Sequence, residues 1–502
     1  MASEIELPRS LLKFLSEEGL VASPEEEQRI SNVIDKLKEI LMTWIKRVAY
    51  QRRLPKNQIK AASATLLPYG VYGLGVYNVE SNIDVLCVAP CFASMKVSPL
   101  FFYMEDFFIV LNNMLAGRPE VSGIHCIKDA KVPLLHFTFE GILIDLAFAK
   151  LQVTAVPESV DILDPSFVKD VDETSWKSLC GVRVKNSILQ LVPDVKIFQE
   201  NLRCIKSWAK RRGVYGDLFG FFGDIQLAVL VAFICQKNPS ASLVDLISIF
   251  FKTFAFWPWP EPVVLEGGAT LPPITRALMP IQLPSSPNEY CHSNMTISTF
   301  NKIRAEFRRG YCQTQDALKP QFDWRNLFES FPYSKSCLRF IKVCLSTYNK
   351  DELGTWVHWV KSRIRCLLLK LEELQALCDP NPTEYIDLSI RVPNVVFYWG
   401  LVPGRGNNLD PNAAREDFMR NLSIGYRGNL GRMTITIVQV SELPKSLQLA
   451  DDHIRESLRL INYNPQQEML PVYSKHLACY VVGYLATTDG NLEHPHANGW
   501  MD

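Results

Sequence analysis

"LLPYGVYGLGVYNVESNIDVLCVAP", residues 66–90, decides how the first third of the chain folds. Its last part, "IDVLCV", is apolar and rich in β-branched residues, and it predicts a buried strand with one carboxylate, Asp84. A lone buried carboxylate is costly unless it is paired, hydrogen-bonded or on a metal. Asn82 stands two residues earlier, on the same strand face. A strand that holds a metal often carries acids at i and i+2; here the first of the two is an amide. Upstream, Gly70 lets a turn's backbone come close to an anion, with N–H groups pointing at it. A further acid, Asp145, lies on a distant apolar stretch, "GILIDLAFAKL".

Composition sets wide bounds around this stretch. The chain has 502 residues, 47% hydrophobic and 21% charged, with 53 basic and 53 acidic side chains. That is an ordinary soluble composition, and the length suggests roughly two to four domains. The charge balance excludes a wholly electrostatic nucleic-acid binder but leaves room for local basic patches. The 13 cysteines are scattered, with no C-x-x-C pair, and read as reduced core residues of an intracellular protein. The N-terminus alternates acids with apolar residues and does not read as a signal peptide. The most hydrophobic window, Leu218 to Gln236, contains Asp224 and Gln226, so it predicts a core helix rather than a membrane span.

Periodicity gives the organisation. Pro24 to Arg52 predicts a helix with Ser23 as cap and glutamates in its first turn. Short apolar stretches around Leu66, Ile83 to Val88 and Leu134 to Phe148, with a helix near Glu105 to Leu115, predict a small mixed sheet. From Val153 the pattern is mainly helical, through Lys196 to Arg212, Phe221 to Gln236, Leu243 to Phe254 and Ser298 to Tyr311. After Phe331 come a strand in "CLRFIKVCLS", one long helix from Asp351 to Ala376, and strands in "NVVFYWGL" and "MTITIVQVS" around a helix from Pro411 to Asn421. That alternation predicts a small α+β sandwich.

A strand, a Gly-rich turn, an acid on the next strand and another acid further on resemble the layout of the nucleotidyltransferase superfamily. Each element alone is commonplace. In one chain and in this order, however, stand "LPYGVYGLGV", "NIDVLCV", "KDAKVPLLHFTFEGILIDLAFAKL", "LQLVPDVKIFQENLRCIKSWAKRRGVYGDLFGFFG" and "WVKSRIRCLLLKLE". Together they resemble the eukaryotic nuclear-type poly(A) polymerase family, its plant members in particular, over about residues 5 to 480.

The resemblance implies an α+β enzyme with a nucleotidyltransferase palm at 50–152 and a helical central domain at 153–330. N-terminal helices at 1–49 would pack with the central domain, a ferredoxin-like, RNA-recognition-like domain would occupy 331–485, and 486–502 would be a tail. It implies addition of adenylates from ATP to RNA 3′ ends without a template, using two Mg²⁺ (or Mn²⁺) ions. Asp84 and Asp145 match metal-binding catalytic acids, and Asn82 stands at the position of the first of the three. Tyr69, Gly70, Val71, Lys206, Tyr215, Gly223 and Asp224 match nucleotide-binding positions. Val71 replaces a serine, Cys180 an asparagine, and Asp224 a second glycine of the family pattern.

RNA contacts are expected from Lys210, Arg211 and Arg212, and from Lys361, Arg363 and Arg365 on the long helix. A solvated face is the commoner meaning of such a basic run. The expected partners are an RNA 3′ end, ATP and mRNA 3′-processing factors, with a monomeric chain and no membrane. The nucleus is the expected location; the cytoplasm is the alternative, because no Lys/Arg-rich tail follows. The alternative function is a catalytically weak or inactive relative that binds RNA or protein factors. The stretch after the strand of Asp84, residues 91–104, reads as an insertion.

Overall fold

The computed structural model describes residues 11, 13–444 and 447, apart from 78–80, 95–105, 129–131, 267–276, 286–288, 318, 320–321, 403–408, 427 and 445–446. The expected insertion therefore lies mostly outside the described residues, and the expected tail entirely so.

Helix α1, Pro24–Gln51, starts at a reciprocal cap: the Ser23 hydroxyl accepts from Glu26 N, and the Glu26 carboxylate accepts from Ser23 N. This satisfies two N–H groups that no helical carbonyl can reach. Its apolar stripe, from Ile30 through Trp44 to Val48, joins one hydrophobic cluster with Ile83, Val85, Phe107, Phe137 and Phe148. The helix thus packs on the first sheet. Before it, Leu11, Phe14 and Leu15 join the core of the central helices instead, with Leu20 packed against it.

The first sheet has strands β1 (Thr65–Pro68), β2 (Ile83–Ala89), β3 (Val121–Ile127), β4 (Leu134–Phe139) and β5 (Ile142–Lys150), in the order β1-β2-β5-β4-β3. Strands β2 and β5 are parallel and the other pairs antiparallel. Both central strands are covered on both faces, which is why they read as continuous apolar runs. A second cluster, with Tyr69, Leu86, Leu134, Leu151, Ile162 and Leu179, closes the opposite face.

Helices α2 (Glu173–Leu191), α3 (Val195–Arg211), α4 (Asp224–Lys237), α5 (Leu243–Ala255) and α6 (Ile297–Thr314) form the central layer. Trp208 of α3 anchors it, with ring centroids 4.9 Å from Phe251 and 5.7 Å from Phe307. Aromatic pairs at such spacing contribute about 0.5–1.5 kcal/mol beyond their burial. No helix of the described residues is long and apolar enough to cross a membrane.

The second sheet has β6 (Arg339–Ser346), β7 (Cys378–Asp379), β8 (Asn394–Leu401) and β9 (Arg432–Gln439), in the order β7-β8-β6-β9, all antiparallel. Its strands alternate with α7 (Lys350–Ser362), α8 (Ile364–Glu373) and α9 (Pro411–Ser423). The expected single helix from Asp351 to Ala376 is two helices that meet at Arg363, whose backbone leaves helical geometry (φ −118°, ψ 6°). Arg363 lies flat over Trp359, its guanidinium carbon 3.4 Å from the ring centroid. Apolar periodicity runs through this break, so the sequence conceals it.

Candidate active site

The β2–β5 register brings the two predicted acids together. Asp84 and Asp145 are direct neighbours on adjacent parallel strands, which run about 4.8 Å apart. They are 3% and 1% exposed. On the other side of β5, His136 of β4 faces Asp145 across the antiparallel pair. Its Nδ1 lies 2.6 Å from Asp145 Oδ1. Asn82 donates from Nδ2 to Asp145 Oδ2 over 2.8 Å. The amide therefore stands where the sequence placed it and orients Asp145.

Asp84 has a different surrounding. Among the described residues its carboxylate has no hydrogen-bond partner, although Tyr69 N donates to its backbone oxygen over 3.1 Å. Burial, then the Asp145 carboxylate, then that of Asp224, push the Asp84 carboxyl well above the usual range, while the Lys206 ammonium opposes the rise. The Gly70 turn covers it. Gly70 has φ +59°, and a side chain there would put its first carbon 2.2 Å from Asp84 Oδ2. Glycine is thus required twice, by conformation and by space.

This donor set fits a hard divalent cation: two buried carboxylates side by side, one of them without a hydrogen bond, accumulate negative charge in a low-dielectric place. It is a lean set. Among the described residues no group of three His, Cys, Asp or Glu side chains converges for a metal. A further oxygen belongs to the Asn82 amide, whose nitrogen donates to Asp145.

Across from the strands, α3 presents Lys206, and α4 begins at Asp224 behind Gly223, whose N–H donates to Gln226 Oε1 over 2.9 Å. Lys206 Nζ and Asp224 Oδ1 form an ion pair at 2.6 Å. Tyr215 lies beside them, its ring centroid 5.4 Å from Lys206 Nζ and 5.6 Å from Lys210 Nζ. Burial, then the Asp224 charge, push the Tyr215 hydroxyl well above its ordinary pKa.

Other predicted residues stand elsewhere. Tyr69 is fully buried in the apolar cluster on the sheet, so its ring seats the turn and does not face the cleft. Val71 points into the central core, where a serine hydroxyl would be out of place. Cys180 is buried, and burial pushes its thiol up to about 12, leaving it neutral.

Of the basic run, only Lys210 is exposed. Arg211 pairs with Glu18 at 2.5 Å, and Arg212 holds Glu306 through Nε and Nη2 at 2.7 and 3.0 Å. Lys361 is buried against Glu384. Arg212 and Lys361 are therefore structural ion pairs, and the exposed cations of the two expected RNA clusters are Lys210 and Arg365. His136 escaped the sequence reading; a histidine inside the apolar run "PLLHFTF" is its one trace, and that pattern more often means a hydrogen-bonded core histidine.

The family model described as "Poly(A) polymerase nucleotidyltransferase domain" matches residues 1–192, and "Poly(A) polymerase central domain" matches 197–330. The chain is 50% identical to nuclear poly(A) polymerase 3 of Arabidopsis thaliana, over 95% of this chain and 93% of that protein. It is 36% identical to nuclear poly(A) polymerase 1 of the same plant, covering 83% of this chain and 60% of that protein. It is 35% identical to a poly(A) polymerase of Dictyostelium discoideum, covering 82% of this chain and 52% of that protein. Among solved structures, a crystal structure of the Cid1 poly(U) polymerase aligns with a TM-score of 0.43 and 13% identity, over 65% of this chain and 98% of that one.

Proposed function

The chain belongs to the poly(A) polymerase family, and from that premise we propose that it transfers adenylates from ATP to the 3′ end of an RNA. The observation that carries this reading is the pairing of Asp84 with Asp145 in register under the Gly70 turn. Asp84, Asp145 and the Asn82 amide oxygen would hold the divalent cation. When bound, it neutralises charge on the attacking and departing oxygens of the phosphoryl transfer. Mg²⁺ or Mn²⁺ suits the oxygen donors, and two ions are the family's number.

The chain's own residues do the rest. Asn82 and His136 fix both oxygens of Asp145, so this carboxylate is aimed before substrate arrives. Asp145 is the acceptor for the RNA 3′-hydroxyl proton. Lys206 supplies a positive charge to the triphosphate and Tyr215 a flat edge to the ribose, both from the far wall of the cleft. Gly70 and Gly223 keep the two walls bare of side chains where phosphates pass. Lys210 and Arg365 give phosphate contacts to the RNA backbone, a term that weakens with salt.

The domain reading is a palm built on the first sheet together with α1, a helical central layer, and an RNA-binding α+β unit on the second sheet. The chain acts as a monomer in the nucleus, alongside mRNA 3′-processing factors. Nothing favours the non-catalytic alternative. The test is an adenylation assay with an oligo(A) primer, ATP and Mg²⁺ or Mn²⁺, with Asp145→Ala as control. Primer extension by wild type and none by the variant is expected. No extension with either metal would overturn the reading.

A further inference from the structure

Asp224 opens α4 and acts on two cleft residues at once. Its Oδ1 lies 2.6 Å from Lys206 Nζ, both side chains being 11% exposed. Its charge also bears on the Tyr215 hydroxyl, whose ring lies 5.4 Å from Lys206 Nζ. These are the two residues assigned above to the triphosphate and the ribose. A carboxylate of the protein itself thus sits where the ligand's anion is expected.

That placement makes charge the deciding quantity. A triphosphate that entered alone would meet Asp84, Asp145 and Asp224. Drawing Lys206 away would leave Asp224 enclosed without its cation, and breaking a buried pair from one side is strongly unfavourable. A triphosphate that enters with a divalent cation removes both penalties. Lys206 turns to phosphate, and Asp224 gains a positive charge in place of the one it loses. The Asp224 charge also adds to the surplus of acid that Asp84 meets.

Resting on the ATP-site reading, we infer that Asp224 makes nucleotide binding conditional on the divalent cation: the Lys206–Asp224 pair opens for the cation–triphosphate complex and stays closed against the bare triphosphate. Asp224 is then a residue that selects the metal-loaded form of the substrate.

Equilibrium binding of a non-hydrolysable ATP analogue to the full chain tests this, in Mg²⁺ and in EDTA. Wild type, Asp224→Asn, Asp224→Gly and Lys206→Met are compared, with a thermal melt to confirm folding. Wild type is expected to bind about 30-fold more tightly with Mg²⁺. In both Asp224 variants, metal-free binding tightens about tenfold, and the Mg²⁺ gain shrinks to about threefold or less. If metal-free binding tightens while the full Mg²⁺ gain persists, Asp224 only repels and the inference falls. It falls also if both variants match wild type. If wild type binds the analogue in neither condition, or Lys206→Met binds as wild type does, the ATP-site reading itself fails, and that failure shows in the wild type or in Lys206→Met, not in the Asp224 variants.

Discussion

Two clusters of buried charge share helix α3. At its C-terminal end, Arg212 grips Glu306 through two nitrogens at 2.7 and 3.0 Å and adds the Glu329 and Ser330 carbonyls at 2.9 and 3.2 Å. Next to it, Lys302 meets Asp379 of β7 at 2.6 Å and the Tyr333 hydroxyl at 3.0 Å. Each cation there has its carboxylate. Two turns back along α3, Lys206 faces a cleft with three carboxylates, Asp84, Asp145 and Asp224, and is paired with only one of them. Both clusters are costly to desolvate: burial lowers the pKa of Lys302 and raises that of Asp379 even in the balanced one. The difference lies in what remains unmatched. A balanced cluster closes the central layer against the second sheet, and an unbalanced one leaves surplus negative charge in the cleft, the pattern by which a functional site is suspected.

The largest expected effect separates the two roles at Asp84. Asp84→Asn keeps the shape and removes an uncompensated charge. The adenylation rate should fall by about 10⁴-fold, or ~5.5 kcal/mol, while the melting temperature holds or rises. A melting temperature several degrees lower would make Asp84 structural and erase the contrast.

Glu306→Gln probes the other cluster and leaves Arg212 buried with no counter-charge. Stability should drop by about 3–5 kcal/mol, read from denaturant unfolding. The initial rate at a temperature well below the transition should stay within about twofold of wild type. A rate loss without a stability loss would place Arg212 and Glu306 in the chemistry instead.

Asp217 tests the cleft's surplus of acid through pH. Burial raises its carboxyl from 3.8 to about 7, with Asp224 adding to the rise and two backbone N–H groups opposing it. The folded state therefore favours the protonated form. Below pH ~4 the group is protonated in both states and costs nothing; as pH rises through about 7 the folded state must hold a charge it disfavours, and stability is lost. Asp217→Asn should accordingly stabilise the protein by about 1–3 kcal/mol at pH 8 and by almost nothing at pH 4. Equal gains at both values would sink the assignment.

The smallest effect concerns Asn82. Asn82→Asp adds a carboxylate beside Asp145 at the cost of the hydrogen bond that now aims it. The expected net is a gain of about tenfold in initial rate, ~1.4 kcal/mol. No gain, or a loss, would mean that the amide's donation to Asp145 outweighs the missing charge.

Much of the fold was legible because burial imposes a pattern. "IDVLCV" and "ILIDLAFAK" read as buried strands since only apolar residues survive coverage on two faces, and Ser23 with Glu26 announced the start of α1. The ordered motifs likewise identified Asp84, Asp145, Gly70 and Lys206 as a set. The break at Arg363 was invisible, because the apolar spacing on both sides of it fits one helix. The burial of Tyr69 was equally hidden, since a tyrosine beside a Gly-rich turn looks the same in sequence whether its ring faces a cleft or the core.

The sequence by itself determined the element types, the family and the residue types available for chemistry, because these follow from local periodicity and motif order. Tertiary structure alone decided which charges meet. Arg212 and Lys361 looked like RNA contacts and are buried ion pairs. His136 looked like an ordinary core residue and sits on Asp145. Asp224 looked like a misplaced acid and holds Lys206. An ion pair or hydrogen bond joins residues 9 to 94 positions apart in these cases. Such partners are fixed by strand register and helix packing, and no spacing rule along the chain encodes them.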